Sequence, residues 1–194
     1  MVALINYIHI LTGISFLITV WLEPAVAQTA EDKRPNIVFI MSDDHATTAV
    51  SAYGSKLLKT PNIDRIAAEG VLFENAFVTS SLCAPSRAAI KSGQYAAKSG
   101  FKRIGDVFDQ SGNTLAKLLQ QAGYTTALFG KWHLKSKPEG FSHVDAVKNQ
   151  GSFINPVFFD AESWTNKEKA KKVQGFFTDV ITDRTIDWLK QQDG

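Results

Sequence analysis

Cys83, the only cysteine in the 194-residue chain, opens the run CAPSRAAIKSG that ends at Gly93. Proline is preorganised for the first helical position, so Pro85 is read as starting a helix through Arg87, Ala88, Ala89, Ile90 and Lys91, with Gly93 able to cap its end. That reading sets Cys83 at a helix N-terminus, where unpaired N–H groups and the helix dipole favour negative charge. Arg87, four residues on, projects a fixed cation to the same side, so an oxyanion would be held there. A lone cysteine taken by itself is a small buried hydrophobe, and two other motifs change that reading. Upstream, the apolar, β-branched run Asn36–Met41 reads as a buried strand ending in Ser42, Asp43 and Asp44. Adjacent carboxylates at the carboxyl end of a strand suit a divalent cation such as calcium or magnesium; the plain alternative is a solvated acidic turn. Downstream, Gly130-Lys131-Trp132-His133 follows a second strand-like run, Tyr124–Phe129, and would reach the same sheet edge. A lysine ammonium there can neutralise charge on a transferred group, and a histidine titrating near neutral pH can move protons. The plain alternative is a surface loop with one buried tryptophan.

Placing these motifs together requires strands that alternate with helices. Thr60-Pro61 opens a helix through Asn62 to Glu69 that Gly70 can stop, and Val71–Val78 reads as a strand leading into the cysteine run. Asn113-Thr114 opens a further helix with Leu115, Leu118, Leu119 and Ala122 on one face before Gly123. Phe177–Gln191 reads as an amphipathic helix with Val180, Ile181 and Trp188 on one side. This alternation predicts an α/β fold with a mostly parallel central sheet flanked by helices. Residues 134–172, rich in Gly, Pro, Asn and aromatics, are expected to form loops around a pocket mouth.

The pattern Cys83-x-Pro85-Ser86-Arg87 closed by Ser92-Gly93 resembles the signature of the type I sulfatases of the alkaline phosphatase superfamily. Lys91 departs from it, standing where a leucine is more usual. The resemblance implies that Cys83 is oxidised to formylglycine by a formylglycine-generating enzyme. It also implies that Asp43, Asp44 and the modified Cys83 bind Ca2+. By the same resemblance, Lys131 touches the formylglycine hydroxyl and the sulfate, His133 deprotonates that hydroxyl, and Arg87 supports the nucleophile. One hydroxyl of the hydrated aldehyde would attack sulfur, and the second would expel sulfate by C–O cleavage after a covalent sulfate has formed. The implied activity is a sulfuric ester hydrolase. The segments MSDDHATTAVSAYG, GKWHLKSKPEGF and ITDRTIDWLK look like exported bacterial polysaccharide sulfatases of the glucosamine-6-sulfatase kind, so a sulfated carbohydrate is the implied substrate. His45, beside the aspartates, His143 and the run Gln150-Gly151-Ser152 are possible sugar contacts or plain surface. Sulfatases of this type are more than twice as long, with further calcium ligands, a histidine and a lysine downstream. The chain is therefore expected to be a truncated N-terminal portion, without turnover as an isolated piece and with an exposed apolar strand edge. Two alternatives stay open: a phosphonate monoester or phosphodiester hydrolase of the same superfamily, and a non-catalytic carbohydrate-binding relative with an unmodified cysteine.

Composition agrees with a globular domain, with 44% hydrophobic residues and a formal net charge of +2. So weak a basic balance does not indicate nucleic-acid binding. The clusters Lys102-Arg103 and Lys167 to Lys172 read as solvated faces, although an acidic polysaccharide could meet them. Residues 1–27 read as a signal peptide, with an apolar stretch from Ile10 to Leu22 and the small-residue pattern Pro24-Ala25-Val26-Ala27 before Gln28; the lack of an early lysine or arginine leaves an uncleaved anchor as the alternative, although the apolar stretch is short for a span. Residues 28–194 then form the N-terminal portion of the catalytic domain, exported to the periplasm or the outside, with no stable membrane insertion expected. With one cysteine, the chain has no internal disulfide and no cysteine for lipid attachment at the signal junction.

Overall fold

The structure, a computed structural model, describes residues 34–192. The segment read as a signal peptide lies outside the described residues. Among the described residues, no helix is long and apolar enough to cross a membrane. The described residues divide into two units between Met41 and Ser42. In the first, Arg34–Met41 carries no regular secondary structure and belongs to no sheet. Its apolar side chains are exposed, Ile40 by 81%.

In the second unit, two short 3-10 turns, Thr47–Ala49 and Ser51–Tyr53, precede helix α1 (Pro61–Glu69). Pro61 stands at the start of α1, and Gly70 ends it. Thr60 does not cap a backbone N–H with its side chain; its hydroxyl and that of Ser51 bind the Asp64 carboxylate at 2.9 and 2.6 Å. Helix α2 (Cys83–Ser92) begins two residues before Pro85. The N–H groups of a helix's first turn have no intrahelical acceptor, so proline is tolerated beyond the first position. The ladder starts with Ser86 N–H donating to Leu82 O at 2.9 Å. Gly93 closes α2 in the left-handed conformation at φ 65°, its N–H donating to Ala89 O at 2.8 Å. Helix α3 (Ala96–Ser99) is a single turn, and α4 (Leu115–Gln121) starts at Thr114, whose side chain accepts from Lys117 N–H.

Strand β1 (Ala127–Lys131) runs parallel to β2 (His143–Val147), with Ala127 opposite His143 and Lys131 opposite Val147. The sequence reading placed the first of these strands at Tyr124–Phe129 and left 143–147 in a loop. The ladder instead begins at Ala127, after Thr126 Oγ1 has donated to Gly140 O at 2.8 Å, and extends through Lys131. Farther along, β3 (Val157–Phe158) pairs antiparallel with β4 (Lys171–Lys172), and α5 spans Phe177–Leu189. The expected parallel sheet flanked by helices is present. Successive strand side chains alternate between faces. One face carries Leu128, Val144 and Ala146 into a buried cluster with Ala84 and Ala88 of α2 and with Phe101, Phe108, Trp132, Leu134 and Trp164. The other carries Phe129 and His143 against Trp188 of α5, with ring centroids 5.9 Å from Trp188 in both pairs. Buried Asp145 meets Arg184 Nε of α5 at 2.5 Å, closing that face with an ion pair.

Two expected strands are absent from the sheets of the described residues: Asn36–Met41 and Val71–Val78. Both are apolar and β-branched, yet Val71, Phe73, Phe77 and Val78 are exposed. Local pattern can favour an extended backbone, but a strand is completed only by a partner that takes its hydrogen bonds and a layer that covers its face. Neither is supplied to these runs by the described residues.

Candidate active site

Three elements bring charge to one place. Helix α2 sets Cys83 at its first position and Arg87 one turn later on the same face, the side on which Ala84 and Ala88 bury the helix fixing its rotation. Strand β1 ends at Lys131, and the chain then turns through Trp132 into His133, which adopts φ 60°. The loop after Met41 brings Asp43, followed by Asp44 at φ 51°. Aspartate tolerates that left-handed conformation better than most side chains, which lets the chain reverse directly behind the carboxylate.

Asp43 is the hub. Its Oδ2 accepts from Arg87 Nη2 at 2.7 Å and lies 2.9 Å from Lys131 Nζ. The second guanidinium arm, Arg87 Nη1, donates to the backbone carbonyl of Lys131 at 2.5 Å, tying the helix to the strand end. Lys131 Nζ also donates to Gln150 Oε1, at the far end of β2. The Arg87 and Lys131 side chains are only 8% and 10% exposed and Asp43 is 30% exposed, so the two cations are nearly desolvated while the carboxylate still meets solvent. Burial pushes the Asp43 carboxyl upward, but the hydrogen bonds and charges of Lys131 and Arg87 outweigh it and hold it below the usual carboxylate value.

Behind this cluster, burial pushes the His133 imidazole below its usual value, and the charges of Lys131 and Arg87 add to that, with Asp43 opposing. The ring is thus neutral at pH 7 and able to accept a proton. His133 Nδ1 and Arg87 Nε are buried without a hydrogen-bond partner among the described residues. Polar atoms so buried are costly unless a partner binds them.

The structure therefore brings together Asp43, Arg87 and Lys131, with His133 in their field and Cys83 on the same helix as Arg87. Cys83 is a half-buried free thiol. Asp44 is exposed and makes no ion pair with this cluster among the described residues. For a calcium ion, which takes about six to eight oxygen ligands, Asp43 and Asp44 are donors of the right hard chemistry. They form only part of a set, because no group of three His, Cys, Asp or Glu side chains suited to a metal gathers among the described residues. His143, read as a possible sugar contact, instead packs its ring against Phe129 and Trp188.

Two residues were missed by the motifs. Gln150, which the sequence offers with Gly151 and Ser152 only as a sugar contact or plain surface, holds the Lys131 ammonium. Lys91, the departure from the cysteine pattern, places its ammonium 4.9 Å from the Trp132 ring centroid and 5.4 Å from that of Phe141. Burial and the neighbouring Arg87 charge push it down to about 8.

Known proteins place this arrangement in a family. The Sulfatase family profile matches residues 35–194. The chain is 44% identical over 169 residues to an N-acetylglucosamine-6-O-sulfatase of Bacteroides thetaiotaomicron, covering 86% of this chain and 29% of that protein. A solved structure of a complex with the substrate D-glucosamine-2-N,6-O-disulfate superposes with a TM-score of 0.77 at 44% identity, covering 83% of this chain and 32% of that one. A phosphonate monoester hydrolase of Agrobacterium radiobacter shares the fold, with a TM-score of 0.64 at 22% identity over 83% of this chain and 39% of that one. The chain thus spans about a third of the length of the relatives it matches. With its family profile matched from Arg34's neighbour Pro35 to the last residue and its cysteine, lysine and histidine motifs on one α/β scaffold, the chain belongs to the sulfatase family.

Proposed function

We propose that the protein is a sulfuric ester hydrolase that releases sulfate from a sulfated carbohydrate of the 6-O-sulfated glucosamine type. The observation that carries this reading is the convergence of Arg87 and Lys131 on one side of the helix that Cys83 begins. The similarity to an N-acetylglucosamine-6-O-sulfatase supports the choice of sugar. In this reading Cys83 is converted to formylglycine by a maturation enzyme, and Asp43 and Asp44 provide part of a calcium site. Hydrated formylglycine supplies a hydroxyl that can attack sulfur and a second that allows sulfate to depart, while calcium supplies positive charge to the oxygens involved.

This chain's own residues do the rest. Arg87 and Lys131 are cations fixed before the substrate arrives, so they neutralise the sulfuryl oxygens without reorganisation. Their low exposure strengthens that interaction relative to water. His133, neutral at pH 7, accepts a hydroxyl proton at a ring nitrogen. Asp43 Oδ2 draws both cations to one oxygen and fixes their orientation. The overall reaction adds one water across the ester, giving the free sugar hydroxyl and sulfate. Residues 1–27 are read as an export signal, placing the enzyme outside the cytoplasm.

The test uses the protein expressed in full from its gene together with a formylglycine-generating enzyme. A tryptic peptide containing position 83 is expected about 18 Da lighter than the thiol form, since sulfur is replaced by oxygen with loss of two hydrogens. Turnover is expected on glucosamine-6-sulfate and aryl sulfate and to be far slower on aryl phosphonate monoesters and phosphodiesters. An intact thiol with carbohydrate binding but no turnover would establish a binding protein instead. Preference for the phosphorus esters would overturn the sulfate assignment.

A further inference from the structure

A second gathering of cations lies beside the cluster around Asp43. A cavity of about 460 Å³ is lined by Trp132, Lys135, Lys137, Lys148, Asn149 and Trp164, within the roughly 300–1,000 Å³ range of small-molecule sites. No acidic side chain lines it. It neighbours the site already described through Asn149 and the residue that follows it. Trp132 is flanked in the chain by Lys131 and His133, and Asn149 is followed by Gln150, whose side chain meets Lys131 Nζ.

The three lysines differ in what holds them. Lys148 Nζ donates to Trp164 O at 2.7 Å and lies 4.2 Å from the Phe159 ring centroid, so it builds the wall. Lys135 and Lys137 are exposed and have no acidic partner among the described residues. Lys135 also sits at φ 58°, a left-handed conformation that costs a lysine energy and that persists where surrounding structure enforces it, most often at functional sites. Two exposed lysines without an acidic partner among the described residues, in a cavity also lined by Trp132, Trp164 and Asn149, match an anion carried on a polar framework.

We propose that this cavity is an accessory subsite for a second anionic sugar unit, sulfated or carboxylated, of the same polysaccharide chain whose sulfate lies at Arg87 and Lys131. The substrate class rests on the hydrolase reading above, but the binding does not depend on turnover. Lys135 and Lys137 contact the charged group, and Lys148 shapes the wall behind it.

The probe is a tetrasaccharide of alternating uronate and sulfated glucosamine, with its desulfated, carboxyl-reduced counterpart as a neutral control. Titration calorimetry is carried out on the protein expressed in full, with Cys83→Ser to prevent turnover. Adding Lys135→Gln and Lys137→Gln is expected to weaken the charged probe by about tenfold, to leave the neutral control unchanged and to flatten the salt dependence. The arginine pair Lys135→Arg and Lys137→Arg is expected to restore binding, which keeps the test decisive if the glutamine variants fold poorly. With Cys83 intact, the glutamine pair should leave kcat and KM for a small aryl sulfate unchanged and raise KM for the tetrasaccharide. Equal affinity of all variants for the charged probe, or an equal loss for the neutral one, overturns the subsite. So does displacement of the tetrasaccharide by an oligodeoxynucleotide at equal charge concentration. Charge-dependent binding in a protein that turns over no aryl sulfate would leave the subsite standing and remove the hydrolase reading.

Discussion

Replacing Asp43 by Asn keeps the shape of the site's hub and deletes its charge. Two cations, 8% and 10% exposed, would then face each other with no counter-ion. Exposed ion pairs contribute about 0.2–1 kcal/mol, whereas leaving a fully buried charge unpaired costs about 3–5 kcal/mol. The cations here are close to the buried case, but a carboxylate 30% exposed lets water reach them once it is neutral. An intermediate loss of about 2 kcal/mol follows. The assay is urea unfolding at pH 7 of wild type, Asp43→Asn, Lys131→Met and the double variant. In the Lys131→Met background the asparagine should cost about half as much, because one of its two partners is gone. The pH dependence gives an independent arm. Asp43 has a folded value below its ordinary 3.8, so its contribution is present above 3.8 and is lost as pH falls through the folded value. The gap between wild type and Asp43→Asn should therefore be constant near neutral pH and close in acid. Equal stabilities at pH 7, or a gap that grows on acidification, would refute the account of Asp43 as the counter-ion of Arg87 and Lys131.

Lys131→Met should raise the His133 value, since the lysine charge is one of the causes holding the imidazole down, and NMR titration of the ring carbons would read it; a further fall would contradict the assignment. Because that value lies below the ordinary 6.5, His133 favours the folded state above pH 6.5 and this contribution is lost as pH falls through the folded value, so stability in this window should slope less in Lys131→Met. Gly130→Ala should destabilise by about 1–2 kcal/mol in chemical denaturation, chiefly from backbone conformation. Gly130 has φ 96°, and an added Cβ would come within 2.7 Å of Ile181 Cδ1, which can swing away while the backbone cannot. An unchanged midpoint would show that this stretch relaxes.

What could be read from residue order alone follows the range of the forces involved. The helix around Pro85 and Arg87, the stop at Gly93, the start at Thr114 and the end of α1 at Gly70 all depend on hydrogen bonds spanning three or four residues. Short-range signals fixed these elements, although the start of α2 lay two residues earlier than Pro85 implies. The motif residues were also legible as types: a thiol at a helix start, adjacent carboxylates, a lysine and a histidine two apart. Pairing was not legible. β2 reads locally as a loop because His143 and Asp145 interrupt its apolar pattern. It is a strand because β1 takes its hydrogen bonds while α5 covers both polar side chains with Trp188 and Arg184. The converse holds for Asn36–Met41 and Val71–Val78, whose apolar pattern finds no ladder among the described residues. The meeting of Asp43, Arg87, Lys131 and Gln150 joins positions up to 107 apart in residue number, and no local preference encodes such contacts. Residue order named the chemical groups; the packing of α2 on the sheet, through Ala84 and Ala88, decided which of them share one desolvated space.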